Sequence, residues 1–184
     1  ALMGLRDKGK VKPGQKVLIN GASGGIGTFA VQIAKALGAE VTGVCSTRNL
    51  ELVESLGADR LIDYTKQDFA QGEDRYDVIF DVVAKRTFAQ CRRALAPKGR
   101  YVTTRISVGL LLQSLWVALT SGRRLKPMLQ PPTQDDLAAV KEYIEAGAVR
   151  VVIDRCYPLA EVPEAILYVE KGHARGKVVI DILA

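Results

Sequence analysis

The residues of this chain best placed to do chemistry lie in one short run, Asn20-Gly21-Ala22-Ser23-Gly24-Gly25-Ile26-Gly27. It follows the β-branched apolar triplet Val17-Leu18-Ile19. It opens a segment whose apolar residues Ile26, Phe29, Ala30, Ile33, Ala34 and Leu37 recur at helical spacing. A phosphate can reach backbone N–H groups at such a junction only where side chains are missing, and the helix N-terminus adds partial positive charge. Set against the pattern G-x-G-x-x-G, the key positions are Ala22, Gly24 and Gly27, so the first glycine has become alanine. Gly24 is read as admitting a pyrophosphate, and Gly27 as letting helix and strand pack closely. Ala22, Ser23, Gly24, Gly25, Ile26 and Gly27 are therefore the expected cradle of a dinucleotide.

Two rival chemistries are excluded by neighbouring residues. No Lys-Ser or Lys-Thr follows the glycines, as a nucleoside-triphosphate loop requires. Gly21, Gly25, Ile26 and Gly27 also satisfy the glycine spacing of short-chain dehydrogenases, which need a Tyr-x-x-x-Lys pair. Four residues beyond Tyr64, Tyr76, Tyr101, Tyr143, Tyr157 and Tyr168 come Asp68, Phe80, Arg105, Gly147, Glu161 and Gly172, and none is lysine.

The choice of dinucleotide turns on the end of the second strand, where an NAD site places Asp or Glu against the ribose 2′-OH. Here Val41-Thr42-Gly43-Val44 runs into Cys45-Ser46-Thr47-Arg48, with no carboxylate. Two hydroxyls and a guanidinium suit a 2′-phosphate, so Ser46, Thr47 and Arg48 predict NADPH rather than NADH. The alternative is that Ser46 or Thr47 caps the next helix and Arg48 is solvated.

Positioning these residues requires alternating strands and helices. Strands are predicted at 17–19, 41–45, 60–62, 76–83 and 100–104, with helices at 26–37, 49–56 and 87–95 between them. Parallel strands joined by right-handed crossovers give a doubly wound parallel α/β sheet, the Rossmann fold. Beyond it a covering helix is expected at 108–119 and an edge strand at Lys126 to Gln130. An amphipathic helix is expected from Thr133 to Glu145, then a strand at 151–153, a helix at 161–171 and a strand at 177–182.

Composition narrows the functional classes. The 184 residues suffice for one domain with its own core. The net charge is +6, but the basic groups (Lys8 to Lys16, Arg92-Arg93, Arg123-Arg124 with Lys126) are not interleaved with aromatics, so nucleic acid is not an expected partner. No apolar run approaches the ~20 residues a membrane span needs, and no signal peptide opens the chain, so a cytoplasmic protein without a membrane partner is expected. Cys45, Cys91 and Cys156 are dispersed and read as free thiols. With His173 the single histidine and no C-x-x-C pair, no metal site is expected. The expected partners are a small-molecule substrate and a second copy paired along the edge strand at 126–130.

With those residues in hand, the chain resembles the medium-chain dehydrogenase/reductase superfamily, in its zinc-free, quinone oxidoreductase-like branch. The resemblance rests on 17–27 and Val31-Gln32-Ile33-Ala34-Lys35, then on Leu56-Gly57-Ala58-Asp59 with Ile62-Asp63-Tyr64. Tyr76-Asp77-Val78-Ile79-Phe80-Asp81 and Gly172-His173-Ala174-Arg175-Gly176-Lys177-Val178-Val179 complete it. It implies that this is a cofactor domain whose GroES-like N-terminal substrate domain is absent from this chain. It places Tyr64 near the adenosine 2′-phosphate, Val82-Val83 near the nicotinamide and, more weakly, Lys177 near the cofactor channel. Two stretches depart from the family: Ala84-Lys85-Arg86 stands where glycine and asparagine are common, and Thr103-Thr104-Arg105 replaces a glycine pair. The last thirty or so residues are expected to return towards the substrate domain. The activity implied is NADPH-dependent reduction of a quinone or α,β-unsaturated carbonyl. The alternatives are the cofactor domain of a zinc-dependent alcohol dehydrogenase and a non-catalytic dinucleotide-sensing module.

Overall fold

Val17 and Ile19 pack into one hydrophobic cluster and Leu18 into another, so the first strand is buried on both faces. In the computed structural model, which describes residues 1–120, 122–128 and 131–182, that strand lies at the centre of a six-stranded sheet. The strands are β1 (Lys16–Asn20), β2 (Glu40–Cys45), β3 (Arg60–Asp63), β4 (Tyr76–Asp81), β5 (Leu95–Thr103) and β6 (Arg124–Pro127). All pair in parallel, in the order β3-β2-β1-β4-β5-β6. This is the doubly wound arrangement expected of a dinucleotide-binding sheet, with its switch point between β1 and β4.

The helices cover both faces. On one side lie α1 (Gly27–Ala36) and α2 (Leu50–Ser55), whose Val31, Ile33 and Val53 join Val17, Val41, Val78 and Phe80. On the other, Phe88 and Cys91 of α3 (Phe88–Cys91) and Val117 of α4 (Val108–Thr120) pack against Ile79, Tyr101 and Leu125. A further helix, α5 (Gln134–Glu145), begins at a capping box between Thr133 and Asp136, and Arg6 pairs with that Asp136 across 2.5 Å. The chain opens with a π-helical segment, Gly4–Gly9, that buries Leu5 and ends at Lys10 in a left-handed conformation.

Several element boundaries differ from those predicted. β4 stops at Asp81 because the next residues turn, with Ala84 at φ 54°. β5 starts at Leu95, inside the predicted helix, and shifts register before Arg100, absorbing the Pro97-Lys98-Gly99 excursion. The edge strand is Arg124–Pro127 rather than 126–130, and Leu129 and Gln130 of that prediction lie outside the described residues. The strand predicted at 151–153 is β7 (Ile153–Pro158), since Arg150 to Val152 serves as a connector anchored by Gln32. With α6 (Val162–Glu170) and β8 (Lys177–Asp181) it forms a separate two-stranded parallel βαβ unit and does not extend the main sheet.

Candidate functional site

The glycine turn leaves β1 at Gly21, whose φ of +89° suits glycine alone, and enters α1 at Gly27. Backbone bonds from Gly21 and Ala22 to the Val44 carbonyl (3.1 and 3.0 Å) tie the turn to β2. The glycines differ in why they are glycine. A Cβ at Gly27 would stand 2.0 Å from the Gly21 carbonyl oxygen and 2.8 Å from Ala22 backbone atoms, so Gly27 is required by packing. A Cβ at Gly24 would meet only the Gly21 oxygen, at 3.6 Å. The fold therefore tolerates a side chain there, and what glycine keeps open is space outside the protein. That opening lies at the start of a ten-residue helix, so the cradle fits a dinucleotide pyrophosphate.

Ala22 does not face this opening. It is fully buried, and its methyl would touch a Cβ built on Gly43 of β2 at 3.3 Å. Gly43 is glycine chiefly for Val53 of α2, whose Cγ1 would lie 2.4 Å from a Cβ there, and the Ala22 methyl is its second, looser neighbour. Ser23 lies at the rim and accepts a hydrogen bond from Asn49 Nδ2 (3.0 Å), which also donates to Ser46 Oγ (3.1 Å). Asn49 thus bridges the cradle and the end of β2. Its own Oδ1 is buried without a partner, an acceptor left over at the site. Asn49 had no signal in the sequence beyond its place two residues after a hydroxyl pair.

At the end of β2, Ser46, Thr47 and Arg48 have different surroundings. Ser46 makes no capping bond to the turn that follows, which removes the helix-cap alternative for its side chain. Thr47 gives its hydroxyl proton to Asp63 (2.5 Å), and the Thr47 and Thr65 hydroxyls lie 3.1 Å apart. The Thr47 hydroxyl is thus engaged by Asp63, although the residue itself is exposed. The Thr47 bond is also the leading reason that the Asp63 carboxyl is held below the ordinary carboxylate range. Arg48 is exposed, with Nη2 3.4 Å from the His173 carbonyl oxygen. Tyr64 follows β3 directly. Its N–H donates to the Cys45 carbonyl (3.0 Å), and its side chain is 60% exposed at the same sheet edge.

The C-terminal βαβ unit closes over this edge. A Cβ at Gly25 would lie 3.1 Å from the Gly176 carbonyl oxygen and 3.4 Å from Lys177 Nζ, so Lys177 reaches the glycine turn. Between Arg48 and the same unit opens a cleft of about 560 Å³, lined by Arg48, Asp154, Arg155, Tyr168, Lys171, His173 and Arg175. Asp154 is its sole carboxylate and is already engaged, by the Tyr168 hydroxyl (2.6 Å) and the Arg175 N–H (2.9 Å). Burial opposes its charge, but these bonds and Arg175 hold its pKa below the ordinary value. The guanidinium of Arg155 stacks 4.0 Å over the Tyr168 ring. Sequence reasoning missed Arg155, Lys171 and Arg175, which gather here only through the fold of a separate sheet.

On the other side of the switch point, Val83 Cγ2 lies 2.7 Å from where a Cβ on Gly21 would stand, so Val82-Val83 flank the turn. The loop that carries them hangs on Asp81, which is fully buried. Asp81 accepts from Asn20 Nδ2 (2.8 Å), the Ala84 N–H (2.9 Å) and the Tyr101 hydroxyl. Burial and the neighbouring Asp81 raise the Tyr101 pKa well above the ordinary tyrosine value. One carboxylate thus fixes the end of β1, the 82–84 turn and β5.

The structure brings Ser23 to Gly27, Ser46, Arg48, Tyr64, Val82, Val83 and Lys177 to one end of the sheet, at the carboxyl ends of the strands. Residues 56–180 match a family described as zinc-binding dehydrogenase. The chain belongs to that family. Within it, the relatives place it in the quinone oxidoreductase-like branch of the medium-chain dehydrogenase/reductases. It is similar to mouse NAD(P)H oxidoreductase RTN4IP1, mitochondrial, at 39% identity over 98% of this chain and 50% of that protein. It is similar to the NADPH-dependent alkenal/one oxidoreductase, chloroplastic, of Arabidopsis thaliana at 35% identity over 91% of this chain and 40% of that protein. The structure resembles the quinone oxidoreductase from Coxiella burnetii with a TM-score of 0.87 and 30% identity, covering 98% of this chain and 56% of that one. The chain thus spans about half the length of the relatives it matches. Two of these relatives carry organelle names, so they lend the cytoplasmic expectation no support. No helix among the described residues is long and apolar enough to cross a membrane. No three His, Cys, Asp or Glu side chains converge among the described residues, so the zinc of the family's description finds no ligand set in them.

Proposed function

We propose that this chain is the dinucleotide-binding part of an NADPH-dependent reductase that delivers hydride to a quinone or an α,β-unsaturated carbonyl. The observation that carries the reading is Gly24, a glycine with no packing reason to be one, at the mouth of α1. Ser23, Gly24 and Gly25 would hold the pyrophosphate through backbone N–H groups, with Lys177 adding charge beside Gly25. Arg48, on a cleft rich in Arg and Lys, and Ser46 two residues before it would take the 2′-phosphate, and Tyr64 would flank the adenosine. Val82 and Val83 would bound the nicotinamide pocket with apolar surface and exclude water from it. The cofactor, when bound, supplies the hydride; this chain supplies binding and orientation. The names of the relatives support both the cofactor class and the acceptor class.

Efficient transfer needs the acceptor held about 3–3.5 Å from the nicotinamide and shielded from water. The family resemblance assigns the far wall of that cleft to a GroES-like domain. The test is therefore a paired assay on these 184 residues. Calorimetry should show NADPH binding more tightly than NADH, while a panel of quinones and enones is not reduced at an enzymatic rate. Preference for NADH would reject the cofactor assignment, and robust turnover would reject the division of the active site between domains.

A further inference from the structure

Asn49 stands at the start of α2 and is of a type that favours helix caps, yet its side chain makes no capping bond. It is 6% exposed, so water competes little for its amide. Both amide hydrogens go to serines. Nδ2 lies 3.0 Å from Ser23 Oγ at the glycine turn and 3.1 Å from Ser46 Oγ at the end of β2. Oδ1 is left buried without a partner. Turning the amide over would give Oδ1 both serine protons, but it would bury two unpaired N–H groups in place of one oxygen. The orientation with fewer orphans is therefore the one in which Asn49 donates and the serines accept.

That direction decides what the serines can do. A hydroxyl has one proton and two lone pairs. Each serine takes an amide hydrogen on a lone pair facing Asn49, which leaves its own proton for an acceptor elsewhere. Among the described residues, neither Ser23 nor Ser46 donates that proton to a protein oxygen. Thr47 differs, since its proton goes to Asp63. Both serines are half-buried and so remain open to a ligand. A phosphate oxygen only accepts, so it gains from a hydroxyl whose proton is already turned outward and nothing from one that presents lone pairs.

We propose, on the placement of the dinucleotide given above, that Asn49 is a positioning residue for both phosphate groups of NADPH. By donating to Ser23 and Ser46 it holds their protons outward, Ser23 towards the pyrophosphate and Ser46 towards the 2′-phosphate. The first subsite serves NADPH and NADH alike, and the second serves NADPH alone. The uncapped start of α2 and the orphan Oδ1 are stability given up for this arrangement.

The test is calorimetric titration of the 184-residue chain with NADPH and, separately, with NADH. Asn49→Ala should raise Kd about threefold for NADH, through Ser23 alone, and about tenfold for NADPH, through both serines. Preference for NADPH over NADH therefore falls about threefold. In a Ser46→Ala background the same substitution should leave the preference unchanged, and in a Ser23→Ala background it should leave the NADH affinity unchanged. Asn49→Leu keeps the side-chain volume and removes both donors, so it should repeat the pattern and serves where alanine unfolds. Circular dichroism and thermal melts verify that each variant is folded. A loss of stability with the cofactor preference intact would overturn the proposal and make Asn49 a structural bridge. So would a fall in preference as large in the Ser46→Ala chain as in the parent. If Gly24→Ala weakens both cofactors while Asn49→Ala weakens neither, the cradle stands and the role of Asn49 falls. A parent chain that binds neither cofactor would remove the site and the proposal together.

Discussion

Alanine at Gly24 and alanine at Gly27 should separate ligand binding from stability, because the two glycines exist for different reasons. At Gly27 the new methyl would lie 2.0 Å from one backbone atom and 2.8 Å from two others. No flexible side chain can yield there, so α1 would have to withdraw from β1 by more than an ångström. Overpacking of this kind costs about 1–3 kcal/mol, and a three-atom backbone collision belongs at the upper end. For a chain of this size about 3 kcal/mol corresponds to a fall in Tm of roughly 6–12 °C. At Gly24 the methyl meets nothing closer than 3.6 Å, and the melting temperature should move by no more than about 2 °C. The same methyl occupies the approach of the pyrophosphate. Losing one charge-assisted hydrogen bond, about 1.5–3 kcal/mol, raises Kd about ten- to hundredfold. Differential scanning fluorimetry and calorimetric titration with NADPH measure the two effects separately. A Gly24→Ala protein that binds NADPH like the parent would refute the placement of the cradle. A Gly27→Ala protein as stable as the parent would refute the packing argument.

Arg48→Ala should weaken NADPH about tenfold or more while leaving NADH nearly unchanged, since only NADPH carries the 2′-phosphate; equal losses in parallel titrations would remove Arg48 from that role. Burial, with a smaller contribution from Asp63 or Asp81, pushes the Cys45 and Cys91 thiols up to about 11, whereas Cys156 is exposed. A thiol reagent at pH 8 should therefore modify one cysteine in the native protein and three after denaturation. The folded thiols hold their protons above the unfolded pKa, so stability should fall as pH rises from about 9 to about 11, which denaturant melts would register. Asp81→Asn turns one of the two acceptor oxygens into an NH2, so either the Tyr101 hydroxyl or the Asn20 and Ala84 donors lose their acceptor, which should cost about 1–3 kcal/mol in urea unfolding. It should also weaken NADPH more than adenosine 2′,5′-bisphosphate if, as proposed, the loop it holds bounds the nicotinamide; equal weakening would count against that role.

Where the sequence was legible, a short-range pattern coincided with a long-range constraint. Val17-Leu18-Ile19 followed by glycines and a helical repeat admits few folds, and the sheet order, the turn and α1 lie where that pattern requires. Legibility failed where the deciding contact comes from elsewhere in the chain. The Thr47 hydroxyl reads as unengaged until Asp63, sixteen residues on, accepts its hydrogen bond. Ala22 reads as a defect in the glycine pattern until its methyl is seen fully buried beside Gly43 of the next strand. Asp81 reads as one more polar residue at a strand end, and only the fold turns it into a buried acceptor for three elements. The boundary errors have the same origin: the Leu95 strand and the Arg150 connector are set by partners in β4 and α1, not by local propensity.

On the proposed placement of the cofactor, the βαβ unit of β7, α6 and β8 would respond to what binds there. The unit has little core of its own: Leu159, Ile166 and Leu167 are more than half exposed, and Ala165 is the buried residue of α6. It is joined to the main sheet at the carboxyl ends of the strands. Gln32 of α1 pins the Arg150 backbone with bonds of 3.0 and 2.8 Å, Arg150 reaches Ser55 (2.7 Å), Arg48 approaches the His173 carbonyl, and Gly176 lies against Gly25. A ligand held between the glycine turn, Arg48 and Arg175 therefore touches both bodies at their seam and opposes their separation. At a concentration one hundred times its Kd, such a ligand stabilises the closed arrangement by about 2.7 kcal/mol, enough to slow exchange through local opening about a hundredfold. Amide hydrogen exchange should show this protection at Lys171 to Lys177 and at Gly24 to Thr28 together, while β3 is affected only weakly. Adenosine 2′,5′-bisphosphate should protect the 171–177 loop nearly as well as NADPH if, as proposed, the basic cleft takes the 2′-phosphate. Protection confined to the glycine turn would show that the C-terminal unit takes no part in holding the cofactor, and Lys177 and Arg175 would then have to be read as surface charge.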